Sequence, residues 1–293
     1  MTNLAIIVPV NNIDVFKNNI LHALKSTQLQ ECAKIVVFDS PNSLNEEKEV
    51  IDLLRLIPNL DLTFLNVANV GQARNHGIAK AIIKQAEYVA FWDADDNVNV
   101  MNFIESLLML KKSGKDILIS NYVKYNLQNG TSKLIGNTTS VNDWNFYIEG
   151  IGLWRMIFRI DLLTSTIFPA NSMGEDLAAF AKINKYNRKV FYVNKNYYQY
   201  NVGLSSQLTS MKTTTADLFS SGQFILHNMI FEGVNLIKIN CLSRILVSVL
   251  ANLEFERKLL FVISILKTPL PINAKLKVLA GAVKMAMNRK LLT

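Results

Sequence analysis

The chain has 293 residues, 50% hydrophobic and 18% charged, with neither low-complexity tracts nor internal repeats, so it is a globular protein with a substantial core rather than a disordered or fibrous one. Its two cysteines, Cys32 and Cys241, lie far apart without metal-ligand neighbours, which speaks against a disulfide scaffold and for a reduced, cytoplasmic protein. The net charge of +8 is concentrated in the tail: residues 240–293 hold nine basic and two acidic side chains, whereas residues 1–239 hold 22 and 21, which argues against nucleic-acid binding by the main part of the chain.

In chain order, Leu4-Ala5-Ile6-Ile7-Val8-Pro9-Val10 is a continuous apolar run of the kind found in a central parallel strand, and Pro9, lacking an N–H, is expected to end the regular ladder. The run is too short for a secretory signal and polar residues follow at once, so none is expected. Asp14 can cap a helix in which Phe16, Ile20, Ala23, Leu24 and Thr27 recur at helical spacing. Residues 33–38 read as a second strand ending at the carboxylate of Asp39, before a turn over Ser40-Pro41-Asn42-Ser43. A helix over 46–56 and a third strand over 62–67 complete a strand, helix, strand, helix, strand pattern that predicts a parallel sheet.

Asn69-Val70-Gly71-Gln72-Ala73-Arg74-Asn75-His76-Gly77 then reads as a glycine-containing turn opening a helix over 78–84. Such a turn can present N–H groups to an anion, with Arg74 adding a fixed charge; an ordinary turn with a solvated arginine has the same look.

The strand Tyr88-Val89-Ala90-Phe91-Trp92 is followed by Asp93-Ala94-Asp95-Asp96, three carboxylates in four residues where open α/β sheets bind ligands. Carboxylates so crowded repel one another, and a hard cation shared with a phosphate, Mg2+ or Mn2+, relieves them; an acidic turn or helix cap is the plainer alternative. A helix over 103–110, a strand over 116–120 and a hairpin around Asn129-Gly130 come next. Beyond Gly150, the stretch Gly152-Leu153-Trp154-Arg155 leads to a short helix near 161–163. Glu175-Asp176 open another helix, where acidic residues are in any case favoured by the dipole. A late strand over 190–193 leads through Tyr197 to Asn201 into a loop that could close over a ligand.

Residues 211–293 read as a basic helical extension. Neither 242–253 nor 259–266 reaches the length of a spanning helix, so they pack on the domain, on a second subunit or in a bilayer interface. In the last helix Leu276, Leu279, Ala280, Val283 and Met287 share a face with Lys277 and Lys284 on its shoulder.

The order and spacing of these motifs over roughly residues 1–210 resemble the inverting family-2 glycosyltransferases of GT-A fold. The resemblance implies a Rossmann-like, mostly parallel α/β sheet with flanking helices (1–210), followed by the helical extension (211–293). It implies that Pro9 lies in the nucleotide-facing turn, Asp39 contacts the uracil of a nucleotide-sugar donor, Arg74 lies near the nucleotide, and Asp93 faces the nucleotide sugar. Asp95 would ligate Mn2+ or Mg2+. Trp154 lies in the acceptor-side segment, as a platform for a sugar or as plain core packing, and of the Glu175-Asp176 pair Asp176 is the expected base. Ser40 stands where the family usually has a second aspartate. The implied activity is transfer from a UDP-sugar to a saccharide or lipid-linked acceptor in surface-polysaccharide synthesis, in the cytoplasm and at the inner face of the cell membrane, with dimerisation through the tail as another use of its helices. A sugar nucleotidyltransferase would instead show a glycine- and lysine-rich turn near the N-terminus, which Pro9-Val10-Asn11-Asn12 does not provide; a non-catalytic sugar-binding or scaffold protein would need no carboxylate chemistry.

Overall fold

In the computed structural model, residues 3–39, 48–67, 69–136, 152–171, 173–183, 189–203, 215–252 and 255–291 are described. The expected turn at 40–43, the start of the helix expected at 46, and the loop beyond Gly203 lie outside the described residues.

The chain forms two compact units that interleave in sequence. The first comprises Met1–Asn142, Gly152–Thr166 and Arg188–Gln207, and the second Asp143–Ile151, Ile167–Asn187 and Leu208–Thr293. The helix opened by Glu175-Asp176 therefore groups with the C-terminal helices.

The first unit is built on a nine-stranded sheet: β1 (Leu4–Val10), β2 (Ala33–Phe38), β3 (Leu60–Phe64), β4 (Tyr88–Phe91), β5 (Asn97–Val98), β6 (Ile117–Asn126), β7 (Ser132–Ile135), β8 (Met156–Arg159) and β9 (Val190–Val202). The order is β3-β2-β1-β4-β8-β6-β9-β5, with β7 on β6. β1 to β4 are mutually parallel, as the alternating pattern predicts, while β8 runs antiparallel between β4 and β6. Every residue of β1 is buried because both faces are covered. Leu4, Ile6, Val8 and Val10 meet the layer that contains Phe16, Ile20, Phe103 and Tyr197. On the other face Gly77 comes so near Ile7 that a Cβ there would lie 2.3 Å from Cγ2, so only glycine admits this approach.

Several expected boundaries move for identifiable reasons. β1 does not stop at Pro9, which pairs with Val37. The Ile7 carbonyl accepts from Trp92 on the β4 side, so the absent Pro9 N–H also faces that side, where the β4 pairing already ends at Ile7–Phe91; the proline costs no ladder bond. The first helix is two, α1 (Ile13–Asn18) and α2 (Ile20–Leu24), broken at Asn19, and its cap is Asn12, which accepts from the Val15 amide, rather than Asp14. After α3 (Lys48–Arg55), α4 spans Val70–Ile83 and starts eight residues before the expected Ile78, because Asn69 caps it by accepting from the Gln72 amide. The expected glycine turn is thus the opening of the helix itself. α5 (Val100–Ser113) is capped by Asn99 and ends on Gly114 at φ 61°. The hairpin at Asn129-Gly130 forms, Gly130 taking φ 68° between β6 and β7.

The second unit is helical: α6 (Glu175–Ile183), α7 (Thr215–Glu232), α8 (Leu236–Asn252), α9 (Phe255–Lys267) and α10 (Ile272–Leu291). α8 lies centrally, against α6, α7, α9 and α10. Among the described residues no helix is long and apolar enough to cross a membrane.

Candidate functional site

β1, β2 and β4 are parallel, so their C-terminal ends emerge together and bring Pro9, Asp39 and Asp93 to one edge of the sheet. Pro9 is buried in the last turn of pairing with β2. Asp39 follows β2 directly, its amide donating to the Val10 carbonyl at 3.0 Å. Asp39 is 4% exposed, and its Oδ1 has no hydrogen-bond partner among the described residues. Burial pushes the carboxyl up to about 6, against the opposing pull of its own backbone N–H and of the Arg74 charge.

Arg74, in the second turn of α4, is 3% exposed and donates from Nη2 to Asp93 Oδ1 at 2.8 Å. One guanidinium thus faces two carboxylates, Asp39 electrostatically and Asp93 by direct contact. Starting the helix at Val70 is what places Arg74 in ordered backbone.

The three carboxylates after β4 separate into different roles. Asp93 is held by Arg74. Asp96 is fully buried, its Oδ1 accepting the Asn201 amide at 2.8 Å, and burial followed by the charges of Asp95 and Asp93 pushes its carboxyl well above the usual range. Asp95 stays half-buried, and its main-chain oxygen accepts from Asn201 Nδ2 at 2.7 Å. The Tyr198 hydroxyl accepts the Asp93 amide at 2.9 Å. Asn201 and Tyr198 therefore clamp the backbone of the acidic turn from β9. Neither was identifiable as a site residue from the sequence, where only a strand over 190–193 was legible; β9 instead runs thirteen residues through an irregularity in its pairing with β6.

Because the buried Asn201 amide loses its Asp96 Oδ1 acceptor in Asp96→Ala, that variant is expected to lose about 2 kcal/mol of stability, a few degrees in Tm. Asp96→Asn keeps an acceptor oxygen and sheds the crowded charge, so scanning calorimetry should show a smaller loss.

Trp154, in the short 3-10 turn Leu153–Arg155 before β8, is 7% exposed. Tyr198 and Tyr200 stack on it at 4.5 and 5.2 Å between centroids, and Tyr122 meets it edge-on at 4.7 Å. These rings bury it among the aromatics that brace β9.

Glu175 and Asp176 open α6 in the second unit; Glu175 is buried and Asp176 half-buried. Gly174 precedes them at φ 77°, with Ser221 and Leu218 of α7 within 3.3 Å of where a Cβ would stand. Glycine is required there both by the left-handed backbone and by the contact with α7.

Among the described residues no group of three or more His, Cys, Asp or Glu side chains is placed to hold a metal ion by itself. The donor set suits a hard cation that takes one carboxylate, Asp95, and completes its shell with a ligand's phosphates and water; it does not suit a closed protein cage.

The model of glycosyl transferase family 2 matches residues 5–170. A sequence search of curated proteins found no match. The crystal structure of S. aureus TarS 1-349 in complex with UDP-GlcNAc aligns at a TM-score of 0.58 and 18% identity, over 99% of this chain and 92% of that one. The complex of the same fragment with UDP gives 0.55 and 20% identity over 100% and 92%. The longer S. aureus TarS gives 0.52 and 18% over 98% and 55%. At these identities the likeness speaks for the fold, and it is the GT-A arrangement with a helical C-terminus expected from the motif order.

Proposed function

The chain belongs to glycosyl transferase family 2, and from that premise we propose that it moves a sugar from a UDP-linked donor to a saccharide or lipid-linked acceptor, with inversion at the anomeric carbon. The setting we assign is synthesis of a surface polysaccharide such as capsule, O-antigen or lipopolysaccharide, at the inner face of the cell membrane. The observation that carries the reading is the ion pair of buried Arg74 with half-buried Asp93, beside an Asp39 oxygen that has no hydrogen-bond partner among the described residues, on the edge where β2 and β4 end. UDP and UDP-GlcNAc bound to S. aureus TarS, a protein of the same fold, support a uridine nucleotide.

In this reading Asp39 Oδ1 accepts the imide N–H of the uracil, Arg74 offers its donors to the diphosphate, and Asp93 turns to the nucleotide sugar. Asp95 would hold Mn2+ or Mg2+, which when bound offsets the negative charge that grows on the departing diphosphate. Asp176 takes the proton of the acceptor hydroxyl as that oxygen bonds to the anomeric carbon and the bond to the diphosphate oxygen breaks; Glu175 is the second choice of base. A single in-line displacement converts an α-linked donor into a β-linked product. Tyr198 and Asn201 hold Asp93 and Asp95 in place while charge redistributes around them.

A screen of UDP-glucose, UDP-galactose and their N-acetyl forms tests the proposal, scored by nucleotide release, product mass and the anomeric coupling constant. One donor should yield a β-linked product; absence of transfer from every UDP-sugar, or a retained anomeric configuration, would overturn it.

Asp39 adds a pH signature. Its ionised form is the one that accepts the imide proton, and its carboxyl titrates at about 6. UDP affinity is therefore expected to be level above that pH and to fall about tenfold per unit well below it. Titration calorimetry of UDP across this range should show the fall in the native chain and a flat, weaker profile in Asp39→Asn.

A further inference from the structure

The basic tail has an apolar face that the described residues leave exposed. α10 docks on α8 through Ala274, Val278 and Ala282, none more than 4% exposed. The hydroxyl of Ser243 on α8 donates to the Val278 carbonyl at 2.9 Å, and a Cβ on Gly281 would come within 2.7 Å of that hydroxyl, so the two helices are in close contact there.

The core face of α10 is thereby accounted for. At about 100° per residue, Leu279, Ile272, Val283, Leu276 and Met287 fall within an arc of about 80° on a different side of the helix. Ile272, Leu276, Val283 and Met287 are 76%, 60%, 61% and 61% exposed. Single exposed apolar residues are ordinary; four aligned on one helix, facing away from its packing partner, are not. Lys284 and Lys277 follow along one border of this row, both exposed, and Lys275 stands beyond the other. The helix sequence Ile272–Leu291 contains no acidic residue.

We propose that this face of α10 lies in the interface of an anionic lipid bilayer, with the helix axis along the surface, the apolar row at the acyl boundary and the lysines at the headgroups. The charge selects the occupant. Two copies meeting through this row would bring Lys277 and Lys284 of both chains to one seam, whereas an anionic headgroup layer neutralises them. For its purpose the inference rests on the lipid-linked acceptor proposed above, but it is measured with neither donor nor acceptor.

The test is sedimentation of the full chain with vesicles of phosphatidylcholine alone or mixed with phosphatidylglycerol. Binding should favour the mixed vesicles by at least about tenfold and weaken by a similar factor in high salt. The double change Leu276→Glu with Val283→Glu, and separately Lys277→Glu with Lys284→Glu, should each cut partitioning at least about tenfold while leaving Tm unchanged, since all four side chains are exposed. Equal binding by native and variant chains, no binding to either vesicle, or equal binding to both would overturn the proposal. A dimer seen by light scattering and dissolved by the leucine and valine changes would overturn it in favour of a second copy. Failure of sugar transfer with vesicle binding intact would count against the transferase reading alone; loss of vesicle binding with transfer to a soluble acceptor intact would count against this one alone.

Discussion

Asp95→Ala is expected to lower kcat about a thousandfold while leaving the protein folded, because main-chain hydrogen bonds from β9 hold the acidic turn. The Asp95 carbonyl stays bonded to Asn201 Nδ2, the Asp93 amide to Tyr198, and Asp93 to Arg74. What the change removes is the hard oxygen donor proposed to hold a cation against the diphosphate, and losses of this order follow when one stabilising group at a developing charge is deleted. Calorimetry should show UDP binding no longer strengthened by Mn2+, with the metal-independent component retained through Asp39 and Arg74. Normal turnover in Asp95→Ala, or activity of the native chain in excess chelator, would remove the metal from the mechanism.

Asp176→Asn is expected to cost between roughly 10^2 and 10^4 in kcat with the dissociation constant for UDP unchanged, since its role is confined to the acceptor's proton. The residue opens α6, where a carboxylate also interacts favourably with the helix N-terminus by about 0.5 kcal/mol, so a small drop in Tm accompanies the substitution. The kinetic signature separates the two roles: loss of a general base removes the acidic limb of the pH–rate profile, and a cap effect does not. If Glu175 is the base instead, Asp176→Asn will keep that limb and Glu175→Gln will lose it. Burial of Glu175 makes its substitution the more damaging of the two to the fold.

Asp95 and Asp176 belong to different compact units, which bears on how a transferase of this kind divides its labour. Donor recognition is assigned to strand ends and α4, whose positions are set by ladder hydrogen bonds and by packing as close as that of Gly77 on Ile7. The proposed base sits on a helix packed against α7 and α8. On the proposed reading, acceptor chemistry falls to one unit and nucleotide chemistry to the other.

What the sequence by itself determined is what neighbouring residues decide among themselves. The apolar runs at 4–10 and 88–92, and the run 33–38 with Lys34 as its one polar residue, read as strands covered on both faces, and Asn129-Gly130 reads as a hairpin turn because the glycine accepts positive φ without penalty. The carboxylates Asp39, Asp93, Asp95 and Asp96 were legible as a candidate site because each follows such a strand. The concentration of positive charge beyond residue 240 was legible too.

The tertiary structure alone decided the surroundings of those carboxylates. Asp96 is withdrawn into the core, where it accepts from Asn201, 105 residues away, while Asp93, paired with Arg74, and Asp95 stay half-buried. Asn201 carries no periodic or local signal of that role, and Arg74, legible as a charge beside a glycine turn, sits in a segment that becomes helix only through the Asn69 cap and the packing of Gly77 on Ile7. Likewise the apolar row of α10 could be read from the sequence as either core or surface. Only the choice of Ala274, Val278 and Ala282 to face α8 left Leu276 and Val283 outside. Hydrogen bonds and packing between segments far apart in the chain leave no mark on the spacing of residues within either one, and these contacts are what give a cluster of like residues different surroundings.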